Sequence, residues 1–219
     1  MIRCSVAAMG LWMVVAGAAA SHPHVFVDVG IEVIFDDRNN AEALRITWTY
    51  DDLFSLLIVE ERNLDPDFDG ILTPDETAAL QGFDMAWDAG FPGDTYALLG
   101  DRPLGLSGPS DWATSYADGR LTSTHLRRLD PPVLLADQPL VVQVYDPSFY
   151  TAYSIARPTL LTGTTDCAAQ SYEPDRAAAD RILQDAIAEQ AGSTDVEGAF
   201  PAIGAAYSEE VRVTCAARS

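Results

Sequence analysis

The sequence predicts an α+β fold: a mostly antiparallel sheet, an inserted helix–loop–helix and one C-terminal helix. Three observations carry that prediction. Residues 25–35 alternate with period two, an acidic loop at 65–76 lies between segments of helical spacing, and a helical apolar stripe follows Pro174. The chain of 219 residues is long enough to bury a core, and no repeat or linker divides it. One domain over 22–219 is therefore expected, behind a leader at 1–21.

The leader comes first. Arg3 gives a positive start, 6–17 is apolar without a charge, and Ala18-Ala19-Ala20-Ser21 supplies small residues. That order is a secretory signal peptide. The apolar run is too short for a spanning helix, and no later stretch is long and apolar enough to be one. An exported mature chain without a transmembrane segment is expected. Cleavage falls after Ala20 or after Ser21. Cys4 leaves with the leader, and Cys167 and Cys215 remain in an oxidising compartment, where an even pair forms a disulfide.

In 25–35 the odd positions (Val25, Val27, Val29, Ile31, Val33, Phe35) are apolar and the even ones mixed, the pattern of a half-buried strand. Turn residues at 36–40 lead to a second strand at 43–50, with Leu44, Ile46, Trp48 and Tyr50 on one face. The period then changes. A short helix runs over 53–60 and another over 77–89, ended by Gly90, Pro92 and Gly93. Further strands are expected at 94–99, 112–117, 120–129, 140–145 and 149–157, with Asp118-Gly119 as a hairpin turn. Pro174 opens a helix with the stripe Ala179, Ile182, Leu183, Ala186 and Ile187, closed by Gly192 and packed on a sheet face. The last strand, 211–215, would be tied by the disulfide to the segment before that helix.

Residues 65–76 match an EF-hand-type loop position by position. Asp65, Asp67 and Asp69 would give carboxylate oxygens to a hard cation, and Gly70 allows the sharp turn. Ile71 would contribute its carbonyl, Thr73 would act directly or through water, and Glu76 would bind with both oxygens. Leu72 would anchor the loop to the core. A lone hand with few supporting contacts is expected to bind Ca²⁺ at about 10⁻⁴–10⁻³ M, a structural site. The competing reading is a solvated acidic turn.

His22-Pro23-His24 opens the mature chain. Cleavage after Ser21 would let the His22 amine and both imidazoles close on one ion. Cleavage after Ala20 would present the Ser21 amine with the amide and ring of His22. Either set suits zinc, copper or nickel. On a strand His22, His24 and Asp28 share a face opposite the valines. The plainer reading is an exposed terminus with idle histidines. His125, in a strand beside Leu121 and Leu129, reads as structural. The aromatic run 145–153 reads as an amphipathic strand edge, with a partner-binding strip as the alternative.

Composition excludes several classes. The formal charge is −20, and all thirteen basic residues are arginine. Nucleic acid is not an expected partner, because polyphosphate binding needs a cationic face. The acidic excess supports solubility and concentrates cations. There is no Gly-x-Ser-x-Gly elbow, phosphate-binding glycine loop, His-Glu-x-x-His or lysine, so an enzyme is not expected.

Together, the run His-Pro-His-Val-Phe-Val-Asp at 22–28, the acidic loop, Tyr-Asp-Pro-Ser-Phe-Tyr at 145–150 and the terminal Val213-Thr214-Cys215 resemble a known family. It is the bacterial periplasmic family of unknown function labelled the periplasmic component of an uncharacterised ABC-type transport system. Members of that family occur beside, or fused to, nickel- or cobalt-type permeases. The resemblance implies a periplasmic accessory of transition-metal transport (nickel, cobalt, zinc or copper) with an inner-membrane metal permease as partner. His22 and His24 would hold the ion with Asp28 as a further ligand. Two alternatives stay open: a copper-dependent oxidoreductase built on an N-terminal histidine brace, with Tyr145 or Tyr150 axial, and a calcium-stabilised interaction module without transition metal.

Overall fold

Strand β1 (Val25–Phe35) buries every odd-numbered side chain and leaves the even ones partly or fully exposed. A computed structural model describes residues 23–189 and 202–216. The leader, His22 and the expected helix stop at Gly192 lie outside the described residues. β1 pairs antiparallel with β2 (Ala41–Tyr50) across a turn held by Asp36, whose Oδ1 accepts the N–H groups of Arg38 and Asn40. Leu44, Ile46, Trp48 and Tyr50 all face inward, as the alternation predicts.

After α1 (Asp52–Glu61) and α2 (Pro74–Ala79) come β3 (Thr95–Leu99), β4 (Arg102–Pro103), β5 (Gly105–Leu106), β6 (Ser110–Ala117), β7 (Arg120–Val133) and β8 (Leu140–Val144). Asp118 and Gly119, both at positive φ, make the β6–β7 hairpin turn that the Asp-Gly pair foretells. β9 (Thr151–Ile155), β10 (Leu160–Thr162), β11 (Cys167–Tyr172), α3 (Arg176–Glu189), α4 (Gly204–Tyr207) and β12 (Glu210–Cys215) complete the chain.

Among the described residues, seven strands form one sheet in the order β10-β1-β2-β7-β5, with β9 also on β1 and β6 also on β7. Five form a second, β11-β12-β8-β3-β4. Most pairings are antiparallel. β9 and β10, however, run parallel to β1 and cover successive halves of one edge. The apolar faces of the two sheets meet in one core. Val29, Val33, Leu44 and Ile46 of the first and Leu140, Val142, Val211 and Val213 of the second are completely enclosed. Each such side chain contributes about 1.5–3 kcal/mol of transfer free energy. Cys167 and Cys215 stand opposite each other on β11 and β12 and are bonded, as expected from the even pair.

Two helical expectations need correction. The helix placed at 77–89 is α2, which starts at Pro74 and ends at Ala79. Thr73 is its N-cap and Pro74 its first residue, so the proline opens the helix instead of preceding it. Gly82, in left-handed geometry at φ +70, stops any continuation, with Trp112 filling the space where a Cβ would sit. Beyond it Met85 and Trp87 anchor an irregular segment to the core. The late helix also does not pack on a sheet face. Of its stripe only Ala179 is buried, Ile182 and Ile187 are about half exposed, and its partner is α4, where Tyr207 Oη donates to Asp180 at 2.8 Å.

Candidate functional site

The acidic loop is built from its first carboxylate outward. Asp51 caps α1 by accepting the Phe54 N–H, and its other oxygen accepts the Phe26 N–H, which fixes the helix start against β1. At the far end Asp65, at φ +54, turns its side chain back into the loop. Its Oδ1 accepts the Asp69 N–H at 3.1 Å and its Oδ2 the Gly70 N–H at 3.0 Å. Gly70 sits at φ +77, where its missing Cβ matters. Asp69 Oδ1 accepts the Ile71 N–H at 2.8 Å. The outcome is convergence: one carboxylate oxygen from each of Asp65, Asp67 and Asp69 lies within 4.8 Å of the others. The charge of Asp69 is the main cause that raises the Asp67 carboxyl above its ordinary value. A cation between them would relieve that repulsion.

The other loop positions are placed differently. Leu72 packs on the core, and Ile71 is a 70% exposed side chain. Glu76 is engaged at the helix start: Oε2 accepts the N–H and Oγ1–H of Thr73, and Oε1 accepts the Asp65 N–H at 3.2 Å. With the Glu76 N–H donating to Thr73 Oγ1 this is a capping box, and these bonds hold the Glu76 carboxyl below its ordinary value. Glu76 and Thr73 are thus committed to α2 and do not join the three aspartates in this geometry.

At the N-terminal strand His24 is exposed. Its backbone N–H donates to the Tyr150 carbonyl at 2.8 Å, and its ring lies 4.8 Å from the Tyr150 ring. Asp28 is four residues along the same strand, about 13 Å away at the usual strand rise. Its carboxylate is 2.9 Å from the Arg120 guanidinium. The structure therefore does not bring Asp28 to His24. Tyr145 is stacked on Tyr96 at 4.1 Å, while Tyr150 is the tyrosine beside His24.

A third feature brings together residues expected on separate elements. Trp48, Tyr50, Trp87, Phe91 and Tyr153 surround a cavity of ≈ 240 Å³, with Asp84 in its lining and Tyr150 at its edge. Tyr50 Oη and Ser123 Oγ both donate to Asp84 Oδ2, and Tyr153 Oη donates to Asp94 at 2.8 Å. Desolvation raises both carboxyls, Asp94 to about 6. Behind the cavity His125 is completely enclosed between Trp48 and Trp87, with ring centroids 4.7 and 5.4 Å away. Burial lowers its pKa to about 3, so the imidazole is neutral, a structural residue as its strand position suggests. The signal that could have exposed this site is the acidic Asp84 set among Phe83, Met85 and Trp87.

The profile of a family described as protein of unknown function, DUF1007, matches residues 7–215. The chain belongs to that family. No curated protein matches it. The matched residues take in both sheets, the acidic loop and the aromatic cavity.

Proposed function

We propose that this protein is an exported, non-enzymatic metal-binding accessory of a transition-metal transport system, stabilised by a calcium ion in the 65–76 loop. The observation that carries the reading is the convergence of Asp65, Asp67 and Asp69 oxygens in a loop whose own amides hold Asp65 in place. Hard carboxylate oxygens that, among the described residues, pair with no arginine suit Ca²⁺, and Glu76 would have to exchange its Thr73 bonds for the ion to complete the shell. His24, exposed at the head of β1, is the imidazole through which a softer ion would be taken, together with His22. The periplasm as its compartment and a membrane permease as its partner follow from the family resemblance and the leader. A disulfide and the absence, among the described residues, of a helix long and apolar enough to cross a membrane agree with that setting.

Calcium is tested by thermal unfolding. With a Kd near 10⁻⁴ M, 10 mM Ca²⁺ should add about 2.7 kcal/mol to stability, and an Asp65→Asn/Asp67→Asn variant should gain nothing. Equal responses of the two proteins would remove the calcium site. The transition-metal half is tested by calorimetric titration of the mature protein with Ni²⁺, Co²⁺, Zn²⁺ and Cu²⁺. Binding no tighter than that of a His22→Ala/His24→Ala variant would refute it. One contact favours a second reading, a copper oxidoreductase: the Tyr150 ring lies 4.8 Å from that of His24. That reading requires His22 as first residue, and mass spectrometry showing a chain that begins at Ser21 excludes it.

A further inference from the structure

The aromatic cavity is assembled from three distant parts of the chain: Trp48 and Tyr50 from β2, Asp84, Trp87 and Phe91 from the segment after α2, and Tyr153 from β9. Such convergence places five π-faces around one carboxylate. Asp84 spends its Oδ2 on Tyr50 and Ser123, while its Oδ1 is buried with no hydrogen-bond partner. Trp48 Nε1 is likewise buried and unpartnered. A second carboxylate, Asp94, is 7% exposed and is bonded by Tyr153, another wall residue. Among the described residues neither carboxylate is ion-paired with an arginine, and the sequence has no lysine. Two cations are described nearby: Arg62, whose charge acts on Asp84, and Arg127, stacked on Trp87 at 4.8 Å and directed to the carbonyls of Ser107 and Pro92. Neither arginine lines the cavity, and among the described residues Asp84 is the one charged residue of the lining.

We infer that this cavity is a binding site for a small organic ammonium ion, its alkyl groups against the aromatic faces and its charge beside the Asp84 carboxylate. The alternatives fit the walls less well. An anion meets the Asp84 carboxylate. A neutral apolar molecule leaves that buried charge uncompensated. A bare metal ion needs several ligand atoms, and the lining offers a single carboxylate among rings. An alkylammonium ion is weakly hydrated and attracted by ring quadrupoles, so aromatic walls with a single carboxylate are its matching chemistry. The volume holds a ligand smaller than drug size. The inference does not rest on the metal reading, because no residue of the 65–76 loop and no histidine lines the cavity.

The probe is trimethylammonium, with tert-butanol as a neutral molecule of similar shape, added to the mature protein at constant Ca²⁺. Binding is followed by tryptophan fluorescence and by the indole N–H resonance of Trp48. Saturable binding of trimethylammonium is expected, at least tenfold tighter than that of tert-butanol and weakened at least tenfold in Asp84→Asn. Phe91→Leu, at a position 42% exposed, removes one π-face without touching the buried acid and should weaken binding several-fold. It serves as the test if Asp84→Asn does not fold. Non-saturable titration, equal affinity for tert-butanol, or full affinity in both variants would overturn the inference.

Discussion

Replacing Asp94 by Asn should make the protein more stable at neutral pH and leave it unchanged in acid. Asp94 is nearly enclosed, and desolvation lifts its carboxyl to about 6 from an ordinary 3.8, against the opposing Tyr153 hydrogen bond and with help from the charge of Asp146. The folded state therefore binds a proton more readily than the unfolded state between those two values. Stability from this group is complete below about pH 4, is lost as pH rises through 6, and is constant above. The loss amounts to about 3 kcal/mol at 1.36 kcal/mol per pH unit. Asn keeps an acceptor for Tyr153 Oη and tolerates the positive φ of 47 at this position. Urea unfolding of both proteins, followed by tryptophan fluorescence at intervals from pH 4 to 8, isolates the effect, since all other titrations cancel in the difference. The Asn variant should gain nothing at pH 4 and about 3 kcal/mol at pH 7 to 8. A difference that is the same at every pH, or a variant less stable at pH 8, would refute the account of a desolvated, unpaired carboxylate.

His125 has the opposite sign. Its folded pKa lies near 3 because burial, aided by the Arg127 charge, opposes protonation, so its contribution is complete above 6.5 and is lost as pH falls. Neither ring nitrogen has a hydrogen-bond partner, so His125→Leu should stay within about 1.5 kcal/mol of the parent at pH 7, the worth of its ring contacts. At pH 4.5 it should have gained about 3 kcal/mol relative to the parent, read by the same urea titration. An advantage that does not grow on acidification contradicts a neutral buried imidazole. The Cys167–Cys215 bond joins residues separated by 48 positions, and a Cys167→Ala/Cys215→Ala variant should lose about 4 kcal/mol on the chain-entropy model. A loss below about 1 kcal/mol by chemical denaturation would show that β11 and β12 stay paired without it.

What the sequence makes legible is what neighbours in the chain decide. β1 and β2 declare themselves because their inward residues recur at every second position, and the turn between them is made by Asp36 and its own amides. The three aspartates of the loop are likewise legible, since Asp65 reaches amides only four and five residues ahead. α2 was harder. Pro74 reads equally as a breaker or as a first helical residue, and only the Thr73–Glu76 capping box decides it. The parallel docking of β9 and β10 on β1 is hidden for another reason: it pairs residues more than a hundred positions apart, and β10 is only three residues long. β11 has no local signal because its residues, Ala-Ala-Gln-Ser between Cys and Tyr, have little strand preference and are held by β12 and the sulfur bridge. The cavity leaves only one local trace, the acidic Asp84 among Phe83, Met85 and Trp87. No local pattern places Trp48 beside Trp87, or Tyr153 beside Asp94, until both sheets have closed.

The pinning of His24 to Tyr150 has a practical side. The main chain leaves β1 at the lip of the aromatic opening, tethered there by the amide-to-carbonyl bond. The bond uses only the Tyr150 carbonyl, so a substitution that reshapes the Tyr150 ring alters the rim of the opening without freeing the start of the strand.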